Sequence, residues 1–124
     1  MMDEYRRGWA LRYLREAKAE LDAARRIPYM APSLVLEAIR KARNAIYYSL
    51  GDPSFIEIVV REAAEKIQAI DDPVLRFLIE IEEIMQQLLQ VGEADGERAM
   101  KQADDLVQLA SDIVETVTGE KIED

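Results

Sequence analysis

Leu36, Arg40, Arg43 and Tyr47 follow one another at spacings of 4, 3 and 4 residues, which on a helix sets two guanidinium groups between two large side chains on one line. Arg offers a bidentate fork for phosphate and Tyr a flat ring for a base, so Arg40, Arg43 and Tyr47 make a candidate nucleotide- or RNA-binding face. The same line also reads as a solvated, salt-bridged face or as a subunit interface.

The chain has no histidine and no cysteine. That excludes the usual zinc sites, thiol nucleophiles, Ser-His-Asp triads and carboxylate-histidine di-iron centres. No remaining side chain titrates near neutrality unless its surroundings shift it strongly. Glu57, Glu62, Glu65 and Asp112 form no pair spaced for acid–base work, and no Gly-rich loop precedes a helix in phosphate-binding form. No catalytic residue and no cofactor is therefore assigned. The expected mode of action is contact.

The elements that carry these residues read as helices throughout, with no period-two alternation to support a strand. Ala10, Leu14, Ala17, Leu21 and Ala24 place a helix over about Asp3 to Arg26, which Pro28 ends. A second begins near Pro32 or Ser33 and buries Val35, Ala38, Ile39, Ala42, Ala45, Ile46 and Ser49, with Gly51 as a left-handed cap. Asp52-Pro53 and Asp72-Pro73 repeat one start signal, an N-cap carboxylate followed by a proline whose missing N–H costs nothing at N1. The third helix is expected to reach about Ala69 with a stripe of Ile56, Val59, Val60, Ala63, Ile67 and Ile70. The fourth carries Val74, Phe77, Leu78, Ile81, Ile84, Met85, Leu88 and Val91. The fifth runs from Asp95 or Gly96 to Thr118 on Ala99, Ala103, Leu106, Ala110, Ile113 and Val117, and stops at Gly119. Short connections make this an all-α, five-helix up-and-down antiparallel bundle, one domain over residues 1–119 with a frayed tail at 120–124.

Composition narrows the setting. Net charge is −9, yet residues 1–51 hold ten Arg/Lys against six Asp/Glu while residues 52–124 hold six against nineteen. Either the basic and acidic helices lie side by side and neutralise one another, or the basic half offers a patch to an anionic partner or a second copy. The overall acidity disfavours nonspecific duplex binding. No apolar run approaches the roughly 18 residues of a membrane span, so a soluble cytoplasmic protein is expected. The single asparagine, Asn44, among many Glu, Arg and Ile leans towards a thermophilic source. Leu36 and Tyr47 on the second helix, and Leu75 and Ile79 on the fourth, fall off the main apolar stripes. Together with the charge split they suggest burial in a two-fold homodimer.

Two resemblances add expectations. Tyr13 to Arg26, YLREAKAELDAARR, and Leu36 to Asp52, LEAIRKARNAIYYSLGD, resemble the opening helical hairpin of HEPN domains, all-α bundles often found beside nucleotidyltransferases. Active HEPN ribonucleases share an Arg, commonly followed by a polar residue, with a His about five positions on. Arg43-Asn44 matches that start, but Tyr48 stands where the His would be. The resemblance therefore implies a noncatalytic member, with a nucleotidyltransferase-type protein as a possible partner, because a tyrosine of pKa about 10 is a poor substitute for imidazole at neutral pH. Glu82-Glu83-Ile84-Met85-Gln86 with Gln102-Ala103-Asp104-Asp105-Leu106 is similar to the paired acidic motifs of MazG-type nucleotide pyrophosphohydrolases. That likeness implies a Mg²⁺ site on Glu82, Glu83, Asp104 and Asp105 for a nucleotide pyrophosphohydrolase, since hard cations want several oxygen ligands, but Gln86 and Gln102 replace two of the family's acids, and an ordinary acidic surface is the plainer account of the four.

Overall fold

The computed structural model describes residues 3–66, 71–91 and 96–120. They form an all-α bundle of five helices: α1 Glu4–Arg26, α2 Ala31–Leu50, α3 Pro53–Ala64, α4 Pro73–Val91 and α5 Gly96–Thr118. No strand occurs among the described residues. A single 3₁₀ turn, Pro28–Met30, joins α1 to α2.

The helix starts follow the side-chain chemistry. Asp3 accepts from the Arg6 N–H at 2.8 Å, Asp52 from Ser54 at 2.9 Å, and Asp72 from Val74 at 2.9 Å, each satisfying an N–H that has no partner within its own helix. Arg25 and Arg26 in the last turn of α1 complement its negative end. Two boundaries differ from the sequence reading. Gly51 has φ 170°, which is extended and not left-handed; its N–H still closes α2 on the Tyr47 carbonyl at 3.0 Å. Helix α3 stops at Ala64 and not near Ala69, and Ile67 and Ile70 lie outside the described residues. At the other end Gly119 does take the left-handed conformation, at φ 75°.

Alanine sets the spacing of the core. On α1, Ala10, Ala17 and Ala24 alternate with Leu14 and Leu21; on α2, Ala38, Ala42 and Ala45 alternate with Ile39 and Ile46; α5 adds Ala103, Leu106, Val107, Ala110 and Val114, all of them buried. Small side chains let the backbones approach closely, and Leu14, Ile39 and Ile46 fill what remains. Helix α2 is the hub of the bundle, packed against α1, α3, α4 and α5. The up-and-down course belongs to the four long helices, and α3, at 12 residues, is the short piece between α2 and α4. Trp9 meets Tyr48 while Lys41 meets Glu16 and Glu20, so α1 and α2 are antiparallel. Pairing of Arg25 with Asp104 and of Arg7 with Glu120 makes α1 antiparallel to α5 as well.

Three cations from the basic half, Arg7, Arg25 and Arg43, pair with Glu120, Asp104 and Glu82 from the acidic half, which offsets part of the charge split along shared helix faces. Glu120, expected in a frayed tail, is held by Arg7, and its N–H donates to the Thr118 hydroxyl at 3.1 Å; residues 121–124 lie outside the described residues. Val74 and Val117, expected in the core, are exposed because they sit in the first and last turns of their helices. The side chains of Leu88 and Val91 lie outside the described residues.

Candidate functional site

The arginine-tyrosine line on α2 does not face outward. Tyr47 is only 3% exposed, and its hydroxyl donates to Glu82 Oε1 of α4 at 2.7 Å. Arg43 Nη1 reaches the same oxygen at 3.2 Å, and its guanidinium lies 5.7 Å from the centre of the Tyr47 ring. The placement of Tyr47 on an outer face is thereby corrected. A helical wheel assumes one core direction, whereas α2 has neighbours on several sides and α4 covers the Tyr47 side. Arg40 is taken by Glu37 of its own helix through both Nε and Nη2, and Leu36 is half-buried. Neither arginine is left unpaired for a phosphate. Glu82, Arg43 and Tyr47 form a polar link between α2 and α4, with Arg43 Nε buried and lacking a hydrogen-bond partner.

Burial, and then the hydrogen bond to Glu82, push the Tyr47 hydroxyl well above its ordinary range. A tyrosine whose folded value is raised contributes stability that is whole below its unfolded pKa of about 10 and is lost as pH rises towards the folded value. Tyr47→Phe is therefore expected to lose about 1–3 kcal/mol at pH 7, where the bond to a carboxylate is intact, with the deficit shrinking in more alkaline solution. Urea titrations from neutral pH into the alkaline range check this; a deficit independent of pH would contradict it.

The acidic quartet is not a metal cage. Glu82 is turned to α2, Asp104 to Arg25 of α1 and Asp105 to Lys101 of its own helix, while Glu83 is exposed. Among the described residues no three acidic side chains converge as a metal site would require. The Mg²⁺ reading of Glu82, Glu83, Asp104 and Asp105 is corrected accordingly. Each cation that draws one of these carboxylates away comes from a different place in the bundle.

The sequence reading missed an aromatic cluster between α1 and α2. Trp9 stacks on Tyr48 at 6.2 Å and 20°, Tyr13 on Tyr48 at 5.8 Å and 24°, and Tyr5 meets Trp9 edge-on. The Arg12 guanidinium covers Trp9 at 4.9 Å while its Nε donates to Glu16 at 2.8 Å. Tyr5, Trp9 and Tyr13 recur every four residues, a spacing that could have been read as one line on α1. Below the aromatics, Lys41 sits between Glu16 and Glu20; the hydrogen bond it donates to Glu20 raises its pKa, and Arg12 and Lys41 lower that of Glu16. Arg43 and Tyr48, the two positions matched to the HEPN motif, have different neighbours: Arg43 meets α4, and Tyr48 is held in this stack. Burial, its largest influence, raises the Tyr48 pKa and takes it further from neutral acid–base work.

The apolar positions proposed for an interface are mostly spent inside the chain. Leu75 and Ile79 are partly buried against the main core, and Tyr47 is fully engaged. The uncovered apolar side chains lie elsewhere. On α3, Val60 and Ala63 are buried while Phe55 is 63% and Ile58 49% exposed. Tyr29 and Met30 project from the α1–α2 turn.

No protein-family model, curated protein or solved structure matches this chain. Among the described residues no helix is long and apolar enough to cross a membrane.

Proposed function

We propose that this chain is a noncatalytic helical interaction module that works as a homodimer, with the outer face of α3 as its contact surface. One observation carries the reading: α3 buries only one side, and Phe55 and Ile58 stand side by side on the other. Fully burying a large apolar side chain contributes roughly 1.5–3 kcal/mol, and a two-fold contact counts each side chain twice. The engagement of Arg40, Arg43, Glu82 and Asp104 within the chain favours this reading over nucleotide binding or metal-dependent hydrolysis. On the HEPN-like resemblance the module belongs with the noncatalytic branch, and a nucleotidyltransferase-type protein is the second kind of partner.

Sedimentation equilibrium tests the homodimer. The wild-type chain should rise above its 14.2 kDa monomer mass as concentration increases, and Phe55→Asp should stay at that mass with an unchanged helical circular dichroism spectrum. A wild-type chain that remains at 14.2 kDa up to millimolar concentration would overturn the proposal.

A further inference from the structure

We infer that α3 and α4 form a cover that opens as one unit from a three-helix core of α1, α2 and α5, with Glu82 as its catch on α2. The inference does not rest on the homodimer. Among the described residues α1 and α5 pack against each other and against α2, whereas α3 and α4 pack against each other and against α2. Burial follows the same division. Helix α1 is buried at intervals from Ala10 to Ala24 and α5 from Ala103 to Val114, while α3 is buried at Val60 and Ala63 and leaves Phe55 and Ile58 exposed. Segments with little buried apolar surface open at a lower free energy than the rest of a domain, and they do so as cooperative supersecondary units.

The seam between cover and core is not fully satisfied. Glu82 Oε1 of α4 accepts from the Tyr47 hydroxyl at 2.7 Å and from Arg43 Nη1 at 3.2 Å, but Arg43 Nε is buried at the same seam without a partner. Closure therefore desolvates a donor for which it provides no acceptor, and opening returns that donor to water. Leu78, Ile81 and Met85 of α4 are buried around the catch, so the closed form is the resting state. The core keeps its own fastenings when the cover leaves. Lys41 joins α2 to Glu16 and Glu20 of α1, Arg25 joins α1 to Asp104 of α5, and Arg7 holds Glu120 just beyond α5. Gly51 and Asp52, both extended, link α2 to the cover. The open form bares the Arg43 and Tyr47 edge of α2, which the closed form largely keeps from solvent.

Native-state amide hydrogen exchange, at low micromolar concentration, tests the division. In the wild type the amides of Val60, Ala63, Leu78 and Ile81 should exchange about a hundredfold faster or more, after correction for intrinsic rates, than those of Leu14, Ala17, Leu106 and Ala110. Ala17→Gly then separates a cover from a chain that opens only as a whole. Ala17 is fully buried on α1, which packs against α2 and α5, so its contacts survive in the open form. The substitution should speed exchange in α1 and α5 by roughly five- to thirtyfold and leave α3 and α4 within about twofold of wild type. Glu82→Ala removes the catch and should speed α3 and α4 by about thirtyfold or more. Circular dichroism confirms that each variant is folded. Uniform exchange across the five helices of the wild type, or equal acceleration of α1 and α4 by Ala17→Gly, would overturn the cover. Unchanged exchange of α3 and α4 in Glu82→Ala would overturn the catch.

Discussion

Replacing Glu82 with alanine should lower the free energy of unfolding by about 2–4 kcal/mol, read from urea denaturation at pH 7. The carboxylate is the shared acceptor for the Tyr47 hydroxyl and the Arg43 guanidinium. Removing it leaves a buried hydroxyl unpaired and a cation whose side chain is only 19% exposed without its counter-charge. The upper end of the range for buried pairs is not reached, because Glu82 itself keeps 27% of its side chain in water and Arg43 can relax towards it. Glu82→Gln retains an acceptor for Tyr47 and should cost about half as much. A loss below about 0.5 kcal/mol would show that α4 is not fastened to α2 through this residue. Exposed cross-helix pairs behave differently: Arg25→Ala, which breaks the pair with Asp104, should cost less than about 1 kcal/mol.

Ile46→Ala should be at least as damaging, at about 3–5 kcal/mol in the same measurement. Ile46 is completely buried on the helix that all the others touch, beside the small side chains of Ala42 and Ala45. The cost combines lost burial with a cavity that cannot collapse, because the alanine seams already bring the helices close. Ile46→Val should cost only about 1 kcal/mol. Equal effects from the two substitutions would mean that the core around α2 is loosely packed.

The prominence of α2 also explains which parts of this protein can be read without a structure. The apolar stripes of α1, α2 and α5 were legible because heptad-spaced Ala and Leu mark a helix with one buried side, and Asp-Pro pairs mark two of the starts. Tyr47 was not legible as a buried residue. Its position about 100° from Ile46 looks solvent-facing when a single core direction is assumed, and only the packing of α4 against a second side of α2 shows otherwise. Leu75 and Ile79 were misassigned for a related reason, since α4 lies against two helices and has a wider buried arc than one stripe. The acid quartet rested on a resemblance, and a resemblance in sequence does not say which cations, Arg43, Arg25 and Lys101, will draw Glu82, Asp104 and Asp105 apart. Phe55 and Ile58 lie off the α3 stripe in the sequence, but the reading of surplus apolar positions did not single them out. Their weight became clear only when Leu36, Tyr47, Leu75 and Ile79 proved to be half-buried or engaged within the chain.

The claim on which the function rests is that a second copy covers the outer face of α3. Backbone amide chemical shifts, followed as the wild-type chain is concentrated from the micromolar to the millimolar range, test it residue by residue. Shifts should move with concentration along Ser54 to Glu65 and stay constant at Tyr29, Met30 and the aromatic cluster. Movement confined to the α1–α2 turn, or none anywhere, would contradict it.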